Sequence, residues 1–79
     1  MTDEFRNVFS NVLGIDPAAL EPSSSPDTMP EWDSLTHVTL MMALEAEHGV
    51  QFDPMDLMEL RTAGDVYARI RELSGLSQP

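Results

Sequence analysis

Three side chains that can do chemistry lie close together at Asp33, Ser34 and His37. A carboxylate, a hydroxyl and an imidazole are the elements of a hydrolase triad. Such a triad needs the imidazole to act on the hydroxyl, a carboxylate to orient its other nitrogen, and an oxyanion hole. Ser34 and His37 are three apart, so they can meet on a helix, but the sequence shows no pocket around them and hydrolysis is set aside. A second constellation, Glu45-Ala46-Glu47-His48, contains one Glu-x-x-His. Di-iron bundles use that spacing but need two such motifs and two further glutamates. With one motif, a solvated helix end is the simpler reading, and His37 and His48 are read as surface or boundary side chains. A third chemistry needs Ser34 alone. A hydroxyl in the first turn of a helix is open to a modifying enzyme, and the unpaired N–H groups there favour a phosphate. The helix dipole adds on the order of 0.3–1 kcal/mol for a phosphate group at that place, less when salt screens it. Helix capping competes as the explanation of Ser34, since Ser and Asp both favour helix starts. Asp33 already fills the cap position, yet on the residues alone capping or chance remains the simpler account.

Size and charge narrow the classes. Seventy-nine residues make one small domain with a modest core, and a complete buried active site is hard to fit. There is no cysteine, so no disulfide framework, zinc-thiolate site or thiol nucleophile can be built. Any thiol chemistry must come from an added group. The longest apolar run, Leu40 to Leu44, is far too short to cross a bilayer. Met1-Thr2-Asp3-Glu4-Phe5-Arg6 lacks the basic and then apolar regions of a signal peptide, so a cytoplasmic protein is expected. The net charge is −10, from fourteen acids against four arginines and no lysine. Such a surface repels nucleic acid and anionic lipid. It attracts partners with basic patches and speeds their encounter; improved solubility is its blander consequence.

Four helices are predicted to position these residues, with no strand and no repeat. The first starts near Thr2, an N-cap followed by Asp3 and Glu4, and stops at Gly14. Phe5, Val8, Phe9 and Val12 form its apolar stripe. Asp16-Pro17 starts one short turn ending near Leu20. Glu21 to Asp33 holds Pro22, Pro26 and Pro30 and reads as a long loop, with Met29 and Trp32 as its anchors. The second helix runs from Ser34 to His48 and stops at Gly49. Asp53-Pro54 opens a short third helix to about Leu60. Thr62-Ala63-Gly64-Asp65 resembles a capping box for a fourth helix that buries Val66, Tyr67, Ile70 and Leu73 and ends at Ser74-Gly75. Residues 1–75 are expected to form the domain and 76–79 a disordered tail.

The second helix has two apolar sides. Leu40, Met41 and Leu44 cluster on one and are assigned to the core. Leu35, Val38 and Met42 cluster roughly opposite, beside Ser34. A helix packed on one face needs only one stripe, so the Leu35 side is expected to stay partly exposed as a contact surface. Met42 suits that role because its flexible thioether adapts to several partners. The alternative is that both sides are buried, one of them under the long loop.

The segment from Asp33-Ser34-Leu35 through Val38, Leu40 and Met42-Ala43-Leu44-Glu45 resembles the second helix of acyl carrier proteins. Gly49-Val50-Gln51-Phe52-Asp53-Pro54 is similar to that family's approach to its short third helix. Arg61-Thr62-Ala63-Gly64-Asp65-Val66 is similar to the start of its last helix. The resemblance implies an all-α four-helix bundle with a long first loop and a short third helix. It further implies a stand-alone carrier, itself no enzyme, with 4′-phosphopantetheine from coenzyme A esterified to Ser34 and Asp33 and Leu35 flanking it. The arm's thiol would hold an acyl or aminoacyl cargo as a thioester. Leu35, Val38, Thr39, Met42 and Glu45 would form the docking face of a monomer.

The implied partners are a phosphopantetheinyl transferase, an acyl- or aminoacyl-activating ligase, and downstream synthases or transferases with basic docking patches. Three residues depart from the family's habit. Pro30-Glu31-Trp32 precedes the motif where the family often has Gly two residues before the Asp. Thr39 replaces a frequent partner-facing acid, and His48 stands where a core aromatic is common. The altered docking face suits a dedicated secondary-pathway carrier at least as well as a housekeeping fatty-acid role. A reading from another class is an unmodified acidic helical interaction module, which uses the same face but needs no hydroxyl at position 34.

Overall fold

The computed structural model describes residues 1–75; the expected tail, 76–79, lies outside the described residues. The chain folds as α1 (Asp3–Leu13), a 3-10 turn (Pro17–Ala19), α2 (Ser34–His48), α3 (Pro54–Glu59) and α4 (Ala63–Gly75). No strand occurs among the described residues. This is the all-helical bundle with a long first loop and a short third helix.

The helix ends follow local chemistry. Thr2 Oγ1 accepts from the Phe5 N–H at 3.3 Å at the start of α1. Gly14 and Gly49 close α1 and α2 at φ 71° and 65°, left-handed conformations that a side chain would strain. Asp53 and Pro54 open α3, where the Asp56 carboxylate accepts from the Asp53 N–H at 2.9 Å. At α4 only one half of the expected capping box forms. Thr62 Oγ1 accepts from the Asp65 N–H at 3.0 Å, while the Asp65 carboxylate lies 3.5 Å from the Arg61 nitrogen instead of capping Thr62.

The core unites α1, α2, α4 and the loop: Phe5, Phe9, Leu20, Trp32, Leu40, Met41, Leu44, Ala63, Val66 and Ile70 are buried. On α1 the stripe continues to Leu13, while Val12, at the last turn, is half-buried. Tyr67 and Leu73 are likewise half-buried, at the edge of α4's apolar face. The long loop is not a loose connection. Its Trp32 packs edge-on against Phe9 at 5.3 Å between centroids. Met29 is half-buried against the core. Ser24 is buried, its Oγ accepting from the Glu21 N–H at 2.9 Å. The loop also caps α4: Ser24 O accepts from the Ala63 N–H at 2.8 Å and Pro22 O from the Gly64 N–H at 2.9 Å. Gly64 permits this approach, since a Cβ there would stand 2.9 Å from Pro22 O.

Two of the four arginines fasten elements together. Arg6 donates to Pro17 O at 3.0 Å and Leu20 O at 2.8 Å, holding the 3-10 turn against α1. Arg69 on α4 pairs with the buried Asp56 of α3 at 3.1 Å and with Glu72 at 3.0 Å. Six residues of α3 cannot stand as an isolated helix; this pair is one of its tethers.

Candidate functional site

The first turn of α2 is shaped by Asp33. Its carboxylate accepts from the Leu35 N–H at 3.1 Å and the Thr36 N–H at 2.9 Å. Thr36 Oγ1 returns an acceptor to the Asp33 N–H at 2.9 Å, completing a capping box with threonine in the place of glutamate. The Thr36 amide, the Thr36 hydroxyl at 3.0 Å and the Leu35 amide, all donating to the carboxylate, hold the Asp33 carboxyl below its usual 3.8. The His37 N–H donates to Asp33 O at 2.8 Å. Of the four amides that open α2, only the Ser34 N–H has no partner among the described residues.

Ser34 is the first residue of that helix, exposed, and its Oγ makes no hydrogen bond among the described residues. It stands at the lip of an open cleft of about 370 Å³. Pro26 and Asp27 of the loop form one wall, Leu57 and Met58 of α3 another, and Leu60 and Arg61 a third. The hydroxyl therefore faces both solvent and a partly apolar groove.

His37, one turn on, also borders the cleft. Its Nδ1 accepts from the Trp32 indole N–H at 2.9 Å. That bond makes Nε2 the protonated nitrogen of the neutral ring, and Nε2 donates to Leu57 O at 3.0 Å. The relay joins the loop, α2 and α3. Both ring nitrogens are engaged, so none is left to take the Ser34 proton, and the Asp33 carboxylate is occupied with the helix cap. The triad composition of Asp33, Ser34 and His37 therefore has a structural explanation. At the other end of α2, the Glu45 carboxylate accepts from the Phe52 N–H at 2.7 Å. His48 is half-buried beside Phe5, with ring centroids 6.2 Å apart. Its Nε2 is enclosed without a partner among the described residues.

Downstream of Ser34 the predicted apolar side of α2 lies open: Leu35 is 78% exposed, Val38 47% and Met42 64%, while Leu40, Met41 and Leu44 are buried. Thr39 is exposed between them. Glu45 is half-buried at the far end. Sequence reasoning missed the contribution of α3, where Met55 is 60% and Met58 75% exposed. The signal was present in Pro54-Met55-Asp56-Leu57-Met58-Glu59, where Asp56 turns inward to Arg69 and so rotates the methionines outward.

A model of the phosphopantetheine attachment site family matches residues 3–70. The chain belongs to that family. The chain's cofactor is thus covalent 4′-phosphopantetheine. The exposed hydroxyl beside a partly apolar groove, without a partner among the described residues, fits a flexible arm joined through a phosphodiester. Relatives agree. The chain is 36% identical over 66 residues to the meromycolate extension acyl carrier protein of Mycobacterium tuberculosis, covering 84% of this chain and 57% of the relative. It matches the protein of the same name from Mycolicibacterium smegmatis at 36% identity, over 84% of this chain and 67% of the relative. An acyl carrier protein of Rhodococcus erythropolis is 33% identical over 70 residues, 89% of this chain and 77% of that one. The carrier spans little more than half the length of the Mycobacterium tuberculosis relative. Among its described residues, no helix is long and apolar enough to cross a membrane.

Proposed function

We propose that Ser34 is the attachment residue and that residues 1–75 work as one carrier of acyl groups. The observation that carries this reading is the state of the hydroxyl: exposed, without a hydrogen-bond partner among the described residues, and fixed at the head of a well-capped helix. A catalytic serine would be held by a base; this one is presented. Ser34 Oγ gives its proton to the transferase and forms the ester bond to phosphorus, as the adenosine bisphosphate half of coenzyme A departs. When bound, the arm supplies a thiol that holds cargo as a thioester.

The rest of the function belongs to surfaces. Asp33 rigidifies the turn that displays Ser34. Leu35, Val38, Thr39 and Met42 form the docking strip, with Glu45 at its end contributing what its Phe52 bond leaves open. A net charge of −10 draws partners with basic patches, among them the transferase, an activating ligase and a downstream synthase. The relatives are named acyl carriers, which favours an acyl over an aminoacyl cargo. Tethering then raises the cargo's effective concentration at each partner while the carrier itself performs no chemistry. The carrier is read as a cytoplasmic monomer, for which its acidic surface is the support.

The test is intact mass after incubation with coenzyme A, magnesium and a broad-specificity phosphopantetheinyl transferase. The wild type gains one phosphopantetheine, mapped to Ser34. Ser34→Ala gains none and keeps its helical circular dichroism. A folded wild type that stays unmodified, with its cognate transferase as well, would leave the unmodified interaction module as the better reading.

A further inference from the structure

Resting on the reading of Ser34 as the attachment point, we propose that the Arg61 guanidinium binds the phosphodiester of the arm, holding its first segment in the cleft between the long loop and α3.

The argument begins with a shortage of donors. A helix start would ordinarily serve an anion through its amides and dipole. Here the Asp33 carboxylate takes the Leu35 and Thr36 amides, and its own negative charge opposes the dipole. Asp27 lines the same cleft and adds a second carboxylate. A phosphodiester on Ser34 would enter a site that offers it one unpartnered amide, that of Ser34, and two nearby anions.

Arg61 is the cation that borders this cleft. The other three arginines are committed: Arg6 to the Pro17 and Leu20 carbonyls, Arg69 to Asp56 and Glu72, Arg71 to the Tyr67 ring at 5.9 Å. The Arg61 side chain is exposed and has no partner among the described residues. A guanidinium offers two parallel N–H donors, a match for two phosphate oxygens. Leu57, Met58 and Leu60 lie beside it, an apolar wall for the branched carbons that follow the phosphate. Because the pair is solvent-exposed, it biases the arm toward the groove without locking it, and partners can withdraw it.

The test uses the loaded 79-residue chain. Wild type, Arg61→Ala and Arg61→Lys are modified to completion, checked by mass, and their folds compared by urea unfolding. Phosphorus NMR then reads the phosphodiester, and proton NOEs read contact between the arm's geminal methyls and Leu57 or Met58. The wild-type phosphorus shift should differ from that of the urea-unfolded loaded chain. It should collapse onto that value in Arg61→Ala and in 1 M salt, where the Debye length is about 3 Å. The NOEs should vanish in Arg61→Ala, and Arg61→Lys should keep part of both signals. Equal shifts and NOEs in wild type and Arg61→Ala would overturn the role of Arg61 and leave the carrier reading intact. Arg61→Ala that loads slowly but gives wild-type spectra once loaded would also overturn it, by assigning Arg61 to a partner. Failure of the wild type to gain mass would strike the carrier reading itself.

Discussion

Asp33 and Trp32 are neighbours with separate tasks. The Asp33 carboxyl is held below its ordinary 3.8 by the amides it caps. Its contribution to stability is therefore complete above that ordinary value and is lost as pH falls through the lower folded value. Carboxyl carbon NMR should show Asp33 titrating below the usual aspartate range, and Asp33→Ala should remove its share of the acid limb of the stability curve; a normal titration would contradict the cap. Trp32 fills the core and donates to His37. Trp32→Phe should cost about 1–3 kcal/mol in urea unfolding, from lost volume and an unpaired Nδ1. Trp32→Ala should cost about 3–5 kcal/mol, comparable to the whole stability of so small a domain.

The elements are held by a few contacts between them. Gly64→Ala gains helix propensity of about 1 kcal/mol, but its Cβ would meet Pro22 O at 2.9 Å. That oxygen is fixed by its bond to the Gly64 amide, so overpacking should prevail and the variant should lose about 1–2 kcal/mol net in urea unfolding. Breaking the Asp56–Arg69 pair with Arg69→Met should lower the hydrogen-exchange protection of α3 amides more than those of α1 or α2. Helix boundaries were legible because they rest on local signals: Thr2, Asp33, Gly14, Gly49 and Asp53-Pro54 act on their own neighbours. The two faces of α2 were legible from periodicity. Contacts remote in sequence left no such trace: Ser24 reaching Ala63, Asp56 reaching Arg69, and His37 binding Trp32 on one side and Leu57 on the other. The cleft wall at Leu57, Met58 and Arg61 was hidden for the same reason, since it depends on how α3 is rolled.

Across the whole molecule, the docking proposed above gives the fourteen acids and the apolar strip different stages of one encounter. Charge governs approach, and the strip governs residence. Stopped-flow association with the transferase should slow steeply as salt rises, while Met42→Ala should chiefly raise the dissociation rate. A salt-independent association rate would remove the steering argument. The backbone caps that Pro22 and Ser24 place on α4 have one more consequence. Each time the loop lifts, the Ala63 and Gly64 protons are bared to water at once, although they sit in a different helix. Deuterium uptake at those two amides therefore reports on the loop: their protection gives the fraction of time the loop stands lifted from α4 beside Ser34, with no label attached to the moving part.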